Sequence, residues 1–482
     1  MSNKALDTVL SEFMKIAEIP RQSHHEERIG QYLFDWARAR GLHAERDELG
    51  SVIIDKAATK GLEQKPLTIF QAHMDMVCIA AEGVKYDPLN DPIRVINDGV
   101  TLRADGTSLG ADDGIGVAMC LYLLGDDSLR HGPIRAIITT NEEDGMDSMA
   151  MDARYLQGEY LVNLDWETIG SLCNSCAGGD FFNYSHKADF SKVEEGFTGF
   201  DLSFNKLLGG HSGVGINKGH ANAIVSAATA LRLLSGGGVK YRIAEFEGGQ
   251  AKNAIPNFAR VKLAVAGEDG EKALEILEGF RREFEEAFGN IEPTMELAYG
   301  KSESKCEKAL SEELSNKLTG LLCSVPNNVH TMSPFVDGLV ESSSNLGVIS
   351  LGDERVEFTV FARSSVAYQA TQLGLICGAL ADSFGFEFMS EGHVPGWAVN
   401  PKSSLTLIAC REYEKLTGEP MIVEPVHAGV ECGAFAQKNP GLDMIAIGPT
   451  LLDVHSPKEC CNIADIKTIT ELLIAILERI AD

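Results

Sequence analysis

Four short, near-continuous apolar runs, at residues 67–72, 134–139, 160–164 and 444–448, do most to limit what this chain can become. Runs of that length, rich in Ile, Leu and Val, suit strands buried on both faces, as in an α/β sheet. A helical stretch from Gly116 to Leu124 separates the first two, so strand and helix alternate. Residues 5–17 and 26–40 read as amphipathic helices, the second with Ile29, Leu33, Phe34 and Ala37 at helical spacing. Two further helices are expected at 403–417 and 464–480, on either side of the last run.

The middle of the chain reads differently. Phe200–Leu207, Lys240–Glu247, Phe258–Val265 and Glu354–Phe361 look like strands with more polar alternation, one face solvated. Helical stretches at 220–234, 270–287, 309–323 and 367–384 fall among them. The order strand, helix, strands, helix occurs before residue 300 and again after 305, which suggests two related α+β units. Flexible junctions are expected at Cys176-Ala-Gly-Gly179 and at Glu391-Gly-His-Val-Pro-Gly396. With 482 residues, more than one ordinary core can hold, the simplest architecture is an α/β domain built from both chain ends and interrupted by an insertion. Its parts are 1–178, 179–391 and 392–482.

Charge narrows the partners. Forty-two Lys and Arg against 70 Asp and Glu leave a net charge of −28, a field that repels nucleic-acid backbones and anionic membranes and draws divalent cations. The opening Met-Ser-Asn-Lys-Ala-Leu-Asp lacks the pattern of a secretory leader, and no apolar run reaches membrane-spanning length. Eleven irregularly spaced cysteines fit reduced thiols, so a cytoplasmic location is expected. Cys173-Asn-Ser-Cys176 lacks the second pair a zinc site of that type needs, and Gly213-Val-Gly215-Ile-Asn-Lys-Gly219 has the spacing of neither nucleotide-binding loop.

Chemistry concentrates where the apolar runs end. His73-Met-Asp75 closes the first, two residues apart on one strand face, so that one can bind a metal while the other orients it. Gly110-Ala-Asp112-Asp113-Gly is a glycine-flanked acid pair before a helix, where a single carboxylate more commonly serves as a cap. Glu142-Glu143 follows the second run, and two adjacent carboxylates there need compensation for their repulsion. Asp165 follows the third run and His455 the fourth. Each alone is ordinary. Together they place acid and histidine clusters beyond successive strands, where open α/β sheets bind ligands. His and carboxylate donors without thiolate favour Zn²⁺, with Mn²⁺ or Co²⁺ as substitutes, and two His with three carboxylates can hold two ions if one carboxylate bridges.

These motifs, with Gly209-Gly-His211-Ser-Gly213, resemble the signature of the zinc-dependent aminoacylase/carboxypeptidase-like metallopeptidases. Cys176-Ala-Gly-Gly179, His427-Ala-Gly-Val-Glu-Cys432-Gly and the overall length resemble, more closely, the aminoacyl-histidine (Xaa-His) dipeptidases. The resemblance covers essentially the whole chain. It implies a zinc-exopeptidase-like catalytic domain, with a mixed sheet flanked by helices and interrupted by an α+β lid. It implies two Zn²⁺ per chain, Asp112 bridging them, His73 and Asp165 completing one shell, and Glu143 and His455 the other. Asp75 would orient His73, and Glu142 would be the general base for water held between the ions. Asp113 stands where close relatives often carry Asn, and as the residue after the bridging ligand it is not expected to bind metal, so the difference bears on local charge rather than on the mechanism.

From the lid, His211 resembles the residue that stabilises the oxyanion, and Asn253, Arg363 and Gly429 resemble contacts to the substrate's C-terminal end. The expected activity is hydrolysis of Xaa-His and related dipeptides, with a small peptide as substrate and neither nucleic acid nor membrane as partner. An N-acyl amino acid deacylase, a di/tripeptidase or a carboxypeptidase on the same scaffold is the alternative. A metal-free binding protein would have lost part of the ligand set, which is intact here. In the superfamily the lid histidine acts within one chain or across a homodimer, and both forms are open to this sequence.

Overall fold

The computed structural model describes residues 4–482 and divides into two compact units. The first holds the chain up to Cys176 together with Gly396–Val426 and Val430–Asp482; the second holds Ala177–Pro395 and His427–Gly429. The expectation that the extreme N-terminus carries no secretory leader rested partly on residues 1–3, which lie outside the described residues.

A six-stranded sheet centres the first unit. Its order is His43–Arg46, Val52–Lys56, Ile134–Thr139, Thr68–His73, Tyr160–Asn163, Asp443–Ala446. The last four strands run parallel, while the first two add antiparallel edges. All four apolar runs of the sequence are therefore strands of one parallel block, and both faces of that block are covered. Phe70, Ala72, Ile138 and Val162 pack into one core, and Ile69, Ile137, Leu161 and Met444 into another. This period-two division is what continuous apolar runs achieve in a sheet buried on both sides.

Helix Ala111–Gly125 is buried around almost its whole circumference, and helices Lys4–Ala17, Glu27–Ala39 and Ile463–Ala481 share its core. In Ile463–Ala481 the residues Ile466, Ile469, Leu473, Ile476, Leu477 and Ile480 form the apolar stripe, and Asn462 caps the start by accepting the Ala464 N–H at 2.9 Å. A smaller sheet pairs Leu451–Leu452, Cys460–Asn462, Thr101–Ala104 and Val95–Asn97. All eleven cysteines are unbridged, and no described helix is long and apolar enough to cross a membrane.

The second unit is built on one antiparallel sheet in the order Glu296–Lys301, Phe197–Asn205, Ala259–Ala266, Tyr241–Gly248, Val340–Leu351, Arg355–Ser364, Gly178–Lys187, Glu387–Val394, with Asn328–Met332 also on Val340–Leu351. Helices Ala223–Gly236, Gly270–Phe288, Glu312–Ser324 and Ala367–Phe384 share its core. The four helices and four strands expected from sequence occur within a few residues of their expected ends. Both expected junctions instead enter strands: Gly178 opens a ten-residue strand, and Glu391–Val394 completes the edge strand that pairs with it. Glycine and histidine at an edge or strand end do not break pairing when one side of the strand is free.

Candidate metal centre

Three adjacent parallel strands deliver acids and histidine to one end of the sheet. His73 ends Thr68–His73, Glu142 and Glu143 follow Ile134–Thr139, and Asp165 follows Tyr160–Asn163. His455 comes from the loop between the paired strands Leu451–Leu452 and Cys460–Asn462, and Asp112 from the turn that opens helix Ala111–Gly125. Regular helical dihedrals begin only after Asp113, so the Asp112 side chain is free of the helix's own capping pattern. Asn141 and His455 hold left-handed backbone conformations (φ 51° and 57°), which cost of order 1–3 kcal/mol each and occur where function overrides local preference.

Asp112 sits between the two histidines. Its Oδ1 is 3.0 Å from His73 Nε2, its Oδ2 is 3.2 Å from His455 Nε2, and a Glu143 oxygen is 2.9 Å from His455 Nε2. Donor atoms of His73, Asp112 and Glu143 gather within 4.8 Å of one another, as do those of His73, Glu142 and Asp165. Every residue named from sequence for the metal shell is thus in one cluster.

Electrostatics point the same way. Burial, Asp112 and other acids push the Asp165 carboxyl well above the usual range. Burial, with Glu431, Glu143 and Asp112 and against His73, raises Glu142 to about 8. Burial also opposes ionisation of Asp112, but the histidines on either side hold its carboxyl well down. The His455 imidazole is raised to about 10, chiefly by its hydrogen bonds to Asp112 and Glu143. Carboxylates crowded this closely need cationic compensation beyond two imidazoles, and divalent ions supply it. His and carboxylate donors with no thiolate suit Zn²⁺, Mn²⁺ or Co²⁺, so the residues present fit such ions.

Asp75 is fully buried and does more than face His73. Its Oδ1 lies 3.3 Å from His73 Nδ1 and accepts the Glu142 N–H at 3.0 Å; its Oδ2 accepts the Ser23 hydroxyl at 2.8 Å and the Glu143 N–H at 3.3 Å. Burial raises its pKa, yet His73, Ser23 and the Glu142 N–H outweigh burial and bring it down to about 2. Asp113 accepts the backbone N–H groups of His73 and Gly116, both at 3.2 Å, and its carboxyl is pushed well up by burial. It braces the site and is not one of the clustered donors.

In the second unit, strand Gly210–His211 pairs with Ala254–Ile255, so His211 and Asn253 are neighbours, and the Asn253 carbonyl accepts the Ser212 N–H at 3.0 Å. His211 Nδ1 accepts the N–H groups of Gly213 and Val214 at 3.2 and 3.3 Å, which leaves the ring proton on Nε2. Burial and Arg363 lower the pKa of His211, keeping the ring neutral. Arg363 is 7% exposed, with its guanidinium 4.1 Å from the Phe361 ring centre, and among the described residues it has neither a hydrogen-bond acceptor nor a carboxylate partner. Burial lowers it to about 10, so it stays charged. A Cβ at Gly429 would make only ordinary contacts, at 3.7 Å and beyond, so crowding does not account for the glycine.

Sequence reasoning missed several residues here. His427, quoted as part of a motif, binds Ser343 Oγ through Nε2 at 2.7 Å and is lowered to about 3 by burial, Arg363 and His211. Glu431, in the same motif, is fully buried behind the strand ends, where it accepts Gln71 Nε2 at 2.5 Å and the Thr139 hydroxyl at 3.0 Å. Gln71 in turn accepts Asn163 Nδ2 at 2.5 Å, and Asn163 Oδ1 accepts the Asp165 N–H at 3.2 Å. Arg21, Ser23, Glu26 and Glu459 also support the cluster. Their only sequence signal was position: three in one short segment, and Glu459 four residues after His455.

Residues 69–479 match the family described as Peptidase family M20/M25/M40. The chain belongs to that family. It is 33% identical to the cytosol non-specific dipeptidase of Escherichia coli K12 over 97% of this chain and 96% of that one. It superposes on the crystal structure of aminoacylhistidine dipeptidase from Vibrio alginolyticus with a TM-score of 0.93, at 33% identity, over 98% of this chain and 96% of the other. The aminopeptidase PepT of Bacillus cereus shares the fold, with a TM-score of 0.57 and 17% identity over 99% of each chain.

Proposed function

We propose that this protein is a metal-dependent dipeptidase that acts on Xaa-His and related dipeptides. The observation that carries the reading is Asp112, flanked by His73 and His455 within a crowd of carboxylates, in a chain alike over nearly its whole length to two dipeptidases. His73 and Asp165 would hold one ion, Glu143 and His455 a second, and Asp112 both. Bound divalent ions would lower the pKa of water and polarise the scissile carbonyl. Zn²⁺ is the proposed metal, two per chain, on the strength of the donor set.

Glu142 is the proposed general base. Its backbone is held by Asp75, and in the metal-free site burial and the neighbouring acids raise its carboxyl to about 8, the direction that suits a group that must take a proton from the attacking water and return it to the leaving amine. Asp75 fixes the ring of His73 and the Glu142–Glu143 backbone together. From the second unit, proposed as a lid over residues 179–391, the Nε2–H of His211 is available as an oxyanion donor. The buried, unpaired Arg363 offers a two-pronged site for the substrate's free carboxylate, with Asn253 and Gly429 as further substrate contacts.

We also propose a homodimer. Strand Glu387–Val394 is paired on one side only, and helix Ala367–Phe384, which packs beside it, exposes Tyr368, Leu375 and Ile376. A cytoplasmic location is proposed from the cytosol dipeptidase it resembles. The test of function is turnover of Xaa-His dipeptides, other dipeptides, tripeptides and acetylated amino acids, before and after chelation and Zn²⁺ return. Dipeptide cleavage lost to chelator and restored by metal supports the reading; preference for acetylated amino acids would replace it with the deacylase.

A further inference from the structure

Two buried charged residues grip three segments of the metal cluster without belonging to it. Arg21 is 1% exposed and Glu459 2%. Arg21 Nη1 donates to the carbonyls of Met74 and Asp75 at 3.0 and 2.9 Å, and Nη2 donates to the carbonyl of Gly110. From the other side, Glu459 Oε2 accepts the N–H groups of Leu109 and Gly110 at 2.7 and 3.0 Å. Its Oε1 accepts those of Ala111 and Asp112 at 2.7 and 3.4 Å. Gly110 is therefore held through both of its backbone groups, by opposite charges.

The same contacts explain the glycines around the acid pair. Gly110 has φ +67°, and a Cβ there would overlap the Arg21 guanidinium and come 2.6 Å from Met76 Sδ. A Cβ at Gly114 would stand 2.6 Å from Arg21 Nη2. These glycines make room for an arginine that is itself part of the protein. The His455 loop is tied in as well. Leu452 pairs with Cys460, closing a loop that carries both His455 and Glu459, and Cys460–Asn462 pairs with the strand Thr101–Ala104 that leads toward Leu109.

We propose that Arg21 and Glu459 form a clamp that sets Asp112 between His73 and His455 before metal arrives. Both are positioning residues: Arg21 fixes the strand end that follows His73 to the Asp112 turn, and Glu459 fixes that turn to the His455 loop. The inference rests on the reading of His73, Asp112 and His455 as metal ligands. A buried carboxylate that accepts four N–H groups and a buried guanidinium that donates to three carbonyls are stable where either charge alone would be costly. Ligands held in place need no ordering when the ion binds, which strengthens binding without adding a ligand.

The test uses the full chain, stripped of metal and titrated with Zn²⁺ against a competing chelator, as wild type, Glu459→Gln and Arg21→Lys. Glu459→Gln turns an NH₂ toward backbone donors, and Arg21→Lys leaves one ammonium for three carbonyls. Each should lower Zn²⁺ affinity about 10- to 100-fold while the metal-free circular dichroism stays that of wild type. The double variant should fall little further than either single one, because both act on one peptide. Affinities within about threefold of wild type in both variants would overturn the clamp. If a variant does not fold, hydrogen exchange of the metal-free wild type decides. Protected amides at Leu109–Asp112 support a preset turn, and exchange at open-loop rates refutes it. A wild type that binds no Zn²⁺ would instead refute the ligand reading beneath the clamp.

Discussion

Asp75 accepts the backbone N–H of Glu142 at 3.0 Å, so the residue that faces the His73 imidazole also holds the proposed general base. One buried carboxylate thereby couples the ends of two parallel strands, and metal binding and proton transfer share a support.

Asp75→Asn should weaken both. The amide keeps the shape but presents an N–H to one of the backbone donors it now binds. We expect Zn²⁺ affinity to fall about 10- to 100-fold and kcat to fall with it. Competition with a chelator, alongside turnover at saturating metal, measures the two. Wild-type affinity together with wild-type kcat would show that Asp75 supports neither metal binding nor proton transfer.

Arg363 should read the substrate's free carboxylate. Charge-assisted hydrogen bonds of this kind contribute about 1.5–3 kcal/mol, so Arg363→Lys should raise KM roughly 10- to 100-fold with a smaller effect on kcat. The wild type should also discriminate against dipeptides with an amidated C-terminus, and the variant should discriminate less. An unchanged KM and an unchanged amide penalty would place the carboxylate elsewhere.

His427 should make the protein sensitive to acid. It is 5% exposed, and its pKa is lowered to about 3, so between that value and about 6.5 the unfolded chain binds a proton that the folded chain refuses. Stability therefore rises with pH through this window and falls on acidification. From pH 7 to pH 5 the group costs about 2 kcal/mol, a share that His427→Gln should lack. Urea unfolding of both proteins at the two pH values checks this, and identical pH dependence would contradict it.

How much was legible in the sequence follows from what each residue does. Ile69, Ile137, Leu161 and Met444 announced strands because a sheet covered on both faces needs apolar side chains at every position. Strand Val340–Leu351 did not announce itself, since it starts Val-Glu-Ser-Ser-Ser. Those serines are buried but paired, Ser343 with His427 and Ser344 with the Pro326 carbonyl at 2.6 Å. The seven-residue helix Cys432–Lys438 is too short for a periodic signal.

The same distinction holds at the site. His73, Asp112, Glu143, Asp165 and His455 carry donor chemistry that their residue types declare, each beyond a strand or at a helix start. Arg21, Glu459 and Glu431 act on backbone groups or amides of distant segments, and no local pattern marks such work. The glycines beside Asp112 were visible, but the guanidinium they accommodate lies 89 residues away in sequence, from Arg21 to Gly110.

The role of Glu142 is decided by Glu142→Gln, with metal content and dipeptide turnover measured on the same preparation. Metal content should equal that of wild type, with kcat lowered by a factor of at least about 10²–10⁴, the usual contribution of a positioned general base. Turnover near wild type, or turnover lost together with the metal, would contradict it: the first denies Glu142 the proton, and the second makes it a ligand.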